Sequence, residues 1–256
     1  LIALAVASLK TDRFQILADM GSFRAFWVED PSLETYRELL TFSGAFPYGR
    51  YLVNSVTILA VTVAGGLVIN SMAAFALACG RSRIRGFVLG ALIALYIIPL
   101  ESIVLPLLLV VNRAGLMDTF SAQILPFVGS PLYIFLFYQF FRQVPKELTE
   151  AATVDGCSFF RIYRSVYVPL SLPVMATVAI LLGIEMWNQY LWPLMVTQTD
   201  YARPLPVAIA SFLGQDSVFW DRAMTASVLM MLPVLIFYLA FQRWFVSSFM
   251  GSAVKG

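Results

Sequence analysis

Two carboxylates, Glu101 in "IIPLESIVLP" and Glu185 in "GIEMWNQY", stand inside runs of almost purely apolar residues. A charge in such a place costs roughly 2.5–3.5 kcal/mol on insertion scales, so it must face protein or water rather than lipid. Each could belong to a solute path or gate, or could serve structure by pairing with a neighbouring helix. Glu101, beside Pro99 and Pro106, also suits a helix break. Directly after Glu185, the residues Trp187, Asn188, Gln189 and Tyr190 join aromatic faces to amides. Such groups hold sugar rings by stacking and by hydrogen bonds to hydroxyls, although Trp and Tyr equally mark membrane interfaces. No catalytic or metal site is expected. The chain has no histidine, which removes the commonest general base and metal ligand. It has no G-x-x-x-x-G-K-[ST] loop and no Gly-Lys pair, so a nucleotide, if one is used, binds elsewhere. Cys79 and Cys157 lie far apart and read as small packing residues.

A third chemical group is a polar arm, "EAATVDGCSFFRIYRSVYVPLSLP" from Glu150 to Pro173, set between two greasy stretches. With the residues before it, "VPKELTEAATVDG" reads as a short helix. Pro145 suits its start, Glu147 and Glu150 favour the positive N-terminal end, and Gly156 fits the position just past its C-terminus. Leu148, Ala151, Ala152 and Asp155 would share one face, and two alanines there would let another surface come close. A second short helix would follow from Ser158 as N-cap, with Phe159, Ile162, Tyr163 and Val166 inward and Arg161 and Arg164 in water. The alternative is a solvated interhelical loop.

The elements that hold these groups are membrane helices. Hydrophobic residues make up 60% of the 256, charged residues 12%, and mean hydropathy is +0.81. That is more apolar surface than a soluble domain can hide. A spanning helix needs about 20 apolar residues, and Tyr51–Cys79, Phe87–Val111, Gln123–Phe141, Leu170–Val196 and Met224–Val246 qualify. "LIALAVASLK" reads as the end of a first, truncated span rather than a signal peptide. The expectation is an all-α membrane protein of six spans, one truncated, forming a single transmembrane domain over residues 1–256. Arg81, Arg83 and Arg85, then Arg142, Lys146, Arg161 and Arg164, then Arg243 and Lys255 fall on one side if spans alternate. That side is cytoplasmic by the positive-inside rule, which places both termini and the arm inside. Asp12, Asp19, Glu29, Asp30, Glu34, Glu38, Asp118, Asp200, Asp216 and Asp221 fall outside. The first outer loop should hold a helix, "LETYRELL", capped by Ser32. Gly65-Gly66 and Ala73-Ala74 suit close helix packing. Net charge of +2 gives no basic field for nucleic acid.

The spacing Glu150-Ala151-Ala152, three residues, Gly156, nine residues, Val166-x-Val168-Pro169 resembles the EAA motif of bacterial ABC importer permeases, EAA-x3-G-x9-I-x-L-P. Val166 and Val168 replace the Ile and Leu, both remaining apolar. "WNQYLWPL", "RPLPVAIASF" and "FQRWFVSSFMGSAVKG" are similar to the carbohydrate branch, and the last resembles the second permease subunit of maltose-type importers. The resemblance implies the type I importer permease fold, in the bacterial cytoplasmic (inner) membrane. It implies a coupling segment at 145–168, with Glu150, Ala151, Ala152, Asp155 and Gly156 seated on a cytoplasmic ATPase dimer that binds ATP and Mg. It also implies a cytoplasmic tail at 247–256, in which Gly251, Ala253, Val254, Lys255 and Gly256 reach the ATPase. Further partners would be a different permease subunit, forming a heterodimer, and an extracytoplasmic solute-binding protein. In that family the sugar site lies mainly on the partner permease. The alternatives are a self-sufficient secondary transporter or channel and, more remotely, a membrane enzyme. The residues name no particular sugar.

Overall fold

The computed structural model describes residues 2–10, 12–19, 21–40, 47–80, 84–214 and 219–235. The tail residues Gly251, Ala253, Val254, Lys255 and Gly256, with Arg81, Arg83, Asp216, Arg243 and the end of the last expected span, lie outside them. The described residues are helices and their connections and include no strand. They fall into two compact units, 2–53 with 204–235, and 54–203.

In the first unit the helices are α1 (Ile2–Ala7), α2 (Arg13–Asp19) and α3 (Glu34–Leu40). As expected, α3 follows Pro31, and the Ser32 hydroxyl accepts the Glu34 N–H at 3.2 Å. Lys10 and Asp19 form a buried ion pair at 2.7 Å, and Lys10 also donates to the Arg24 carbonyl. That extra acceptor helps compensate the dehydration of the ammonium group. Residues 220–235 are helical, and within them Thr225 donates to the Ser8 carbonyl and Arg222 pairs with Glu38.

The second unit holds most of α4 (Tyr48–Cys79), whose 32 residues reach about 48 Å. Its Val56, Val61, Val68, Ile69 and Met72 are exposed, as a helix facing lipid or another chain must be. After it come α5 (Arg85–Ile97), α6 (Leu100–Arg113), α7 (Phe120–Val128), α8 (Pro131–Phe141), α9 (Lys146–Val154), α10 (Phe159–Ile162), α11 (Val168–Leu170), α12 (Leu172–Asn188) and α13 (Leu191–Val196). α14 (Leu205–Ala210) returns the chain to the first unit.

Continuous spans were the expectation for Phe87–Val111, Gln123–Phe141 and Leu170–Val196, and all three are broken. Among the described residues α4 alone is long and apolar enough to cross a membrane; three bent pairs raise the number to four. The α5–α6 pair turns by 101° and the α7–α8 pair by 40°. Proline is the local cause. It pushes the residue before it out of the helical region, and Ile98 before Pro99 and Ser130 before Pro131 are both extended. Between α12 and α13, Gln189 is extended too, and Pro193 sits in the first turn of α13, where its missing N–H is no loss. The break at α7–α8 is clamped by buried Asn70. Its amide donates to the Gly66 and Val128 carbonyls and accepts the Ser130 N–H at 2.8 Å. Gly66 has its packing role: a Cβ there would stand 2.6 Å from Leu182 Cδ2.

Candidate functional site

The arm forms the two short helices its sequence suggests, with two differences in which side chains face inward. α9 starts after Pro145 and ends at Asp155, and Gly156 follows at φ +75. Only glycine takes that backbone readily. Ser158 caps α10 by accepting the Arg161 N–H. The expected shared face divides: Ala152 is half-buried against the unit's core, while Leu148, Glu150, Ala151 and Asp155 are exposed. Val154 is 88% exposed and Phe160 58%. The outer side of the arm is thus acidic and apolar together and lies open.

The back of the arm is fastened to the membrane helices by aromatic rings. Phe75 of α4 stands 4.5 Å from the Phe159 ring, 5.3 Å from Tyr163 and 4.8 Å from Tyr167. Tyr163 shares a hydrogen bond with Ser71 at 2.7 Å, and Tyr167 shares one with Thr149 at 2.9 Å. The inward set differs from the α-helical expectation. Ile162, Tyr163 and Tyr167 are buried and Val166 is half-buried, while Phe159 stays half exposed although its ring lies on Phe75. A π-turn follows at Tyr163–Tyr167, where the Val168 N–H reaches the Tyr163 carbonyl. Tyr163 and Tyr167, four residues apart, still share the inward face. Pro169, which lacks an N–H, removes the next α-helical bond. At Ser171 the chain bends 78° into α12.

The candidate path residues do not form one cluster. Glu101 is exposed in the first turn of α6, directly after the break at Pro99. Glu185 is exposed on α12, and its Oε2 accepts the Tyr133 hydroxyl at 2.8 Å. Trp187 is only 8% exposed, so its ring face is packed away rather than presented to a solute. Asn188 is exposed and donates to the Ile184 carbonyl, Gln189 is half-buried at the break, and Tyr190 beyond it is exposed.

Residues 66–250 match the family "Binding-protein-dependent transport system inner membrane component". The chain belongs to that family. It is the membrane-spanning permease subunit of a binding-protein-dependent transport system. A similar protein is the arabinooligosaccharides transport system permease protein AraQ of Halalkalibacterium halodurans, 34% identical over 89% of this chain and 82% of that one. The sn-glycerol-3-phosphate transport system permease protein UgpE of Pectobacterium atrosepticum is also 34% identical, over 80% and 74%. The permease fold is shared with a chain of a bacterial ABC transporter involved in import of the acidic polysaccharide alginate. That likeness has a TM-score of 0.78 at 22% identity, over 95% of this chain and 89% of that one.

In this permease subunit a second fastened region connects α13 to α14. Asp118, at φ +59, accepts the N–H groups of Gln198 and Thr199 and the Thr199 hydroxyl. Asn54 donates to the carbonyls of Tyr201 and Arg203, and buried Gln123 to that of Ala202. Burial raises the Asp118 carboxyl, but these donors and the Arg203 charge outweigh it and hold the group below the usual carboxylate range. Sequence reasoning placed Asp118 outside but missed this role, and it missed Phe75, Tyr133 and Asn70 entirely. An Asn in the middle of a mostly apolar helix is the signal that could have found Asn70.

Proposed function

We propose that the chain forms half of a solute path across the bacterial cytoplasmic membrane and couples it, through residues 145–168, to a separate ATPase dimer that binds ATP and Mg. The other half of the path is a different permease, and an extracytoplasmic solute-binding protein delivers a sugar or sugar-like solute. Both termini lie in the cytoplasm, and the tail at 247–256 reaches the ATPase. The observation that carries the reading is the arm: an exposed surface of Glu150, Ala151, Val154 and Asp155 on α9, which is tied through Thr149 and Ala152 to the aromatic segment that packs on α4. A solvated loop would have no need of the ring packing behind it, and an exposed valine beside acids suits a groove on another protein. Glu150 pairs there with a basic residue, Ala151 allows close seating, and Gly156 turns the chain. The substrate class follows the relatives, whose names include arabino-oligosaccharides and glycerol 3-phosphate. Proteoliposomes holding the whole complex, with ATP inside and binding protein and solute outside, test this. Uptake is expected to require ATP and to survive an uncoupler. Uptake by this chain alone, or uptake abolished by the uncoupler with ATP present, contradicts it.

A further inference from the structure

We infer that Tyr163 and Tyr167 are positioning residues for coupling: their rings hold the arm on α4, and their hydroxyls set its register there. The inference rests on the coupling reading above and names the side chains through which motion of α9 reaches α4. Tyr163 shares its hydrogen bond with Ser71 Oγ of α4 at 2.7 Å. Ser71 spends its one proton on the α4 backbone, at the Leu67 and Val68 carbonyls, so the Tyr163 phenol is the donor. The Tyr167 hydroxyl has two partners. It meets Thr149 of α9 at 2.9 Å and the Cys79 thiol at the end of α4. A single phenol thus links α4 to α9 beside Glu150.

These bonds do what the rings cannot. Burial of apolar area is non-directional, so it draws the arm onto α4 without choosing where along α4 it sits. A hydrogen bond weakens steeply once its angle opens, so it does choose. Ser71, Tyr163 and Tyr167 are all buried, and water does not compete with their bonds. Ser71 and Cys79 stand about 12 Å apart along the axis of α4. Two such points fix the arm both along that axis and around it. The segment that carries both tyrosines runs on through the bend at Ser171 into α12. The same two points therefore set where α12 begins, and a push on α9 moves α4 and the start of α12 together.

Electron-spin distance measurement on the whole purified permease–ATPase complex reads this register directly, with ATP as the one added ligand. Spin labels are placed at Lys146→Cys on α9 and Met72→Cys on α4, both exposed positions. Cys157→Ala and Cys79→Ser clear the background, and the serine keeps a partner for Tyr167. With both tyrosines present, one distance is expected, the same without nucleotide and with ATP held unhydrolysed by omitting Mg. Tyr163→Phe and Tyr167→Phe each keep the ring and remove the hydroxyl. Each should raise the fraction at a second, displaced distance about five-fold, the effect of one neutral hydrogen bond. The double variant should raise it further, with ATPase retention unchanged. Hydroxyls with a merely structural role would lower the thermal midpoint and leave the distance single. A distance that changes with ATP while both tyrosines are present, or a single unchanged distance in all three variants, would overturn the inference. Loss of the ATPase from the native complex would instead defeat the coupling reading, and the distances without nucleotide would still decide the register.

Discussion

The arm at residues 146–167 and the loop at residues 198–203 both join apolar helices, but one is fastened by rings and the other by hydrogen bonds. Behind the arm, Phe75, Phe141, Tyr163 and Tyr167 interlock, with Phe141 and Tyr167 at 5.2 Å edge to face. Around the loop, Asp118, Asn54 and Gln123 each hold particular backbone groups. Ring packing buries area and resists displacement in every direction. Oriented hydrogen bonds fix a loop's shape, yet each contributes little where water competes. The coupling role proposed for the arm requires the first kind of fastening; a loop that presents a fixed shape needs the second.

The largest effect that would break this contrast is Phe75→Ala. Emptying the middle of the ring cluster should cost about 3–5 kcal/mol, seen as a lower thermal midpoint of the detergent-purified complex and lost coupling of ATP hydrolysis to uptake. A midpoint within a degree or two of the parent would mean that the rings do not fasten the arm. Gly156→Val comes next. No atom lies within 4 Å of the added Cβ, so the cost is conformational, about 1–3 kcal/mol for a side chain held at positive φ. Because the strain falls at the end of α9, uptake should suffer more than stability. Equal losses in both would place the glycine in the general scaffold.

Asp118→Asn sharpens the contrast from the other side, with an expected loss below about 1 kcal/mol. Asparagine keeps the tolerance for positive φ, so the variant tests the charge alone. The sign of the pH dependence follows from the depressed carboxyl. Its contribution is present above the ordinary carboxylate value near pH 4 and is lost as pH falls through the lower, folded value. Hydrogen exchange at Gln198 and Thr199 should therefore be flat from about pH 5 to 8, after correction for intrinsic rates, and lose protection in acid. Loss of protection near neutrality would contradict the role given to Asp118.

How much of this the chain discloses depends on distance along it. The arm's limits were legible because Pro145, Gly156 and Ser158 act on their immediate neighbours, and Pro99 next to Glu101 suggested the break found there. The length of the spans was misread, because hydropathy registers apolar runs and is blind to a proline's effect on the residue before it. Phe75 was invisible inside a long, mostly apolar helix, and Tyr167, one helical turn beyond Tyr163, was passed over although the α-helical period allows it. Tyr133 lies 52 positions from Glu185 and Asp118 lies 80 from Gln198. Such pairings are set by how the helices pack, which spacing along the chain does not reveal. Trp187 looked like a sugar-stacking ring, yet composition cannot tell a ring that lines a path from one that fills a core.

The account turns on the bare side of the arm being a docking surface for a separate ATPase. Retention of the ATPase on the affinity-purified permease, for Glu150→Ala and Val154→Asp in otherwise intact complexes, measures this most directly. Both side chains are exposed and neither touches the ring cluster, so membrane insertion and the partner permease should be retained. ATPase retention should fall at least ten-fold for Val154→Asp, which carries a charge into a closed interface, and by less for Glu150→Ala, which leaves one basic partner unpaired. Native amounts of ATPase on both variants would mean that the arm is a passive connection between helices, and the account would be wrong.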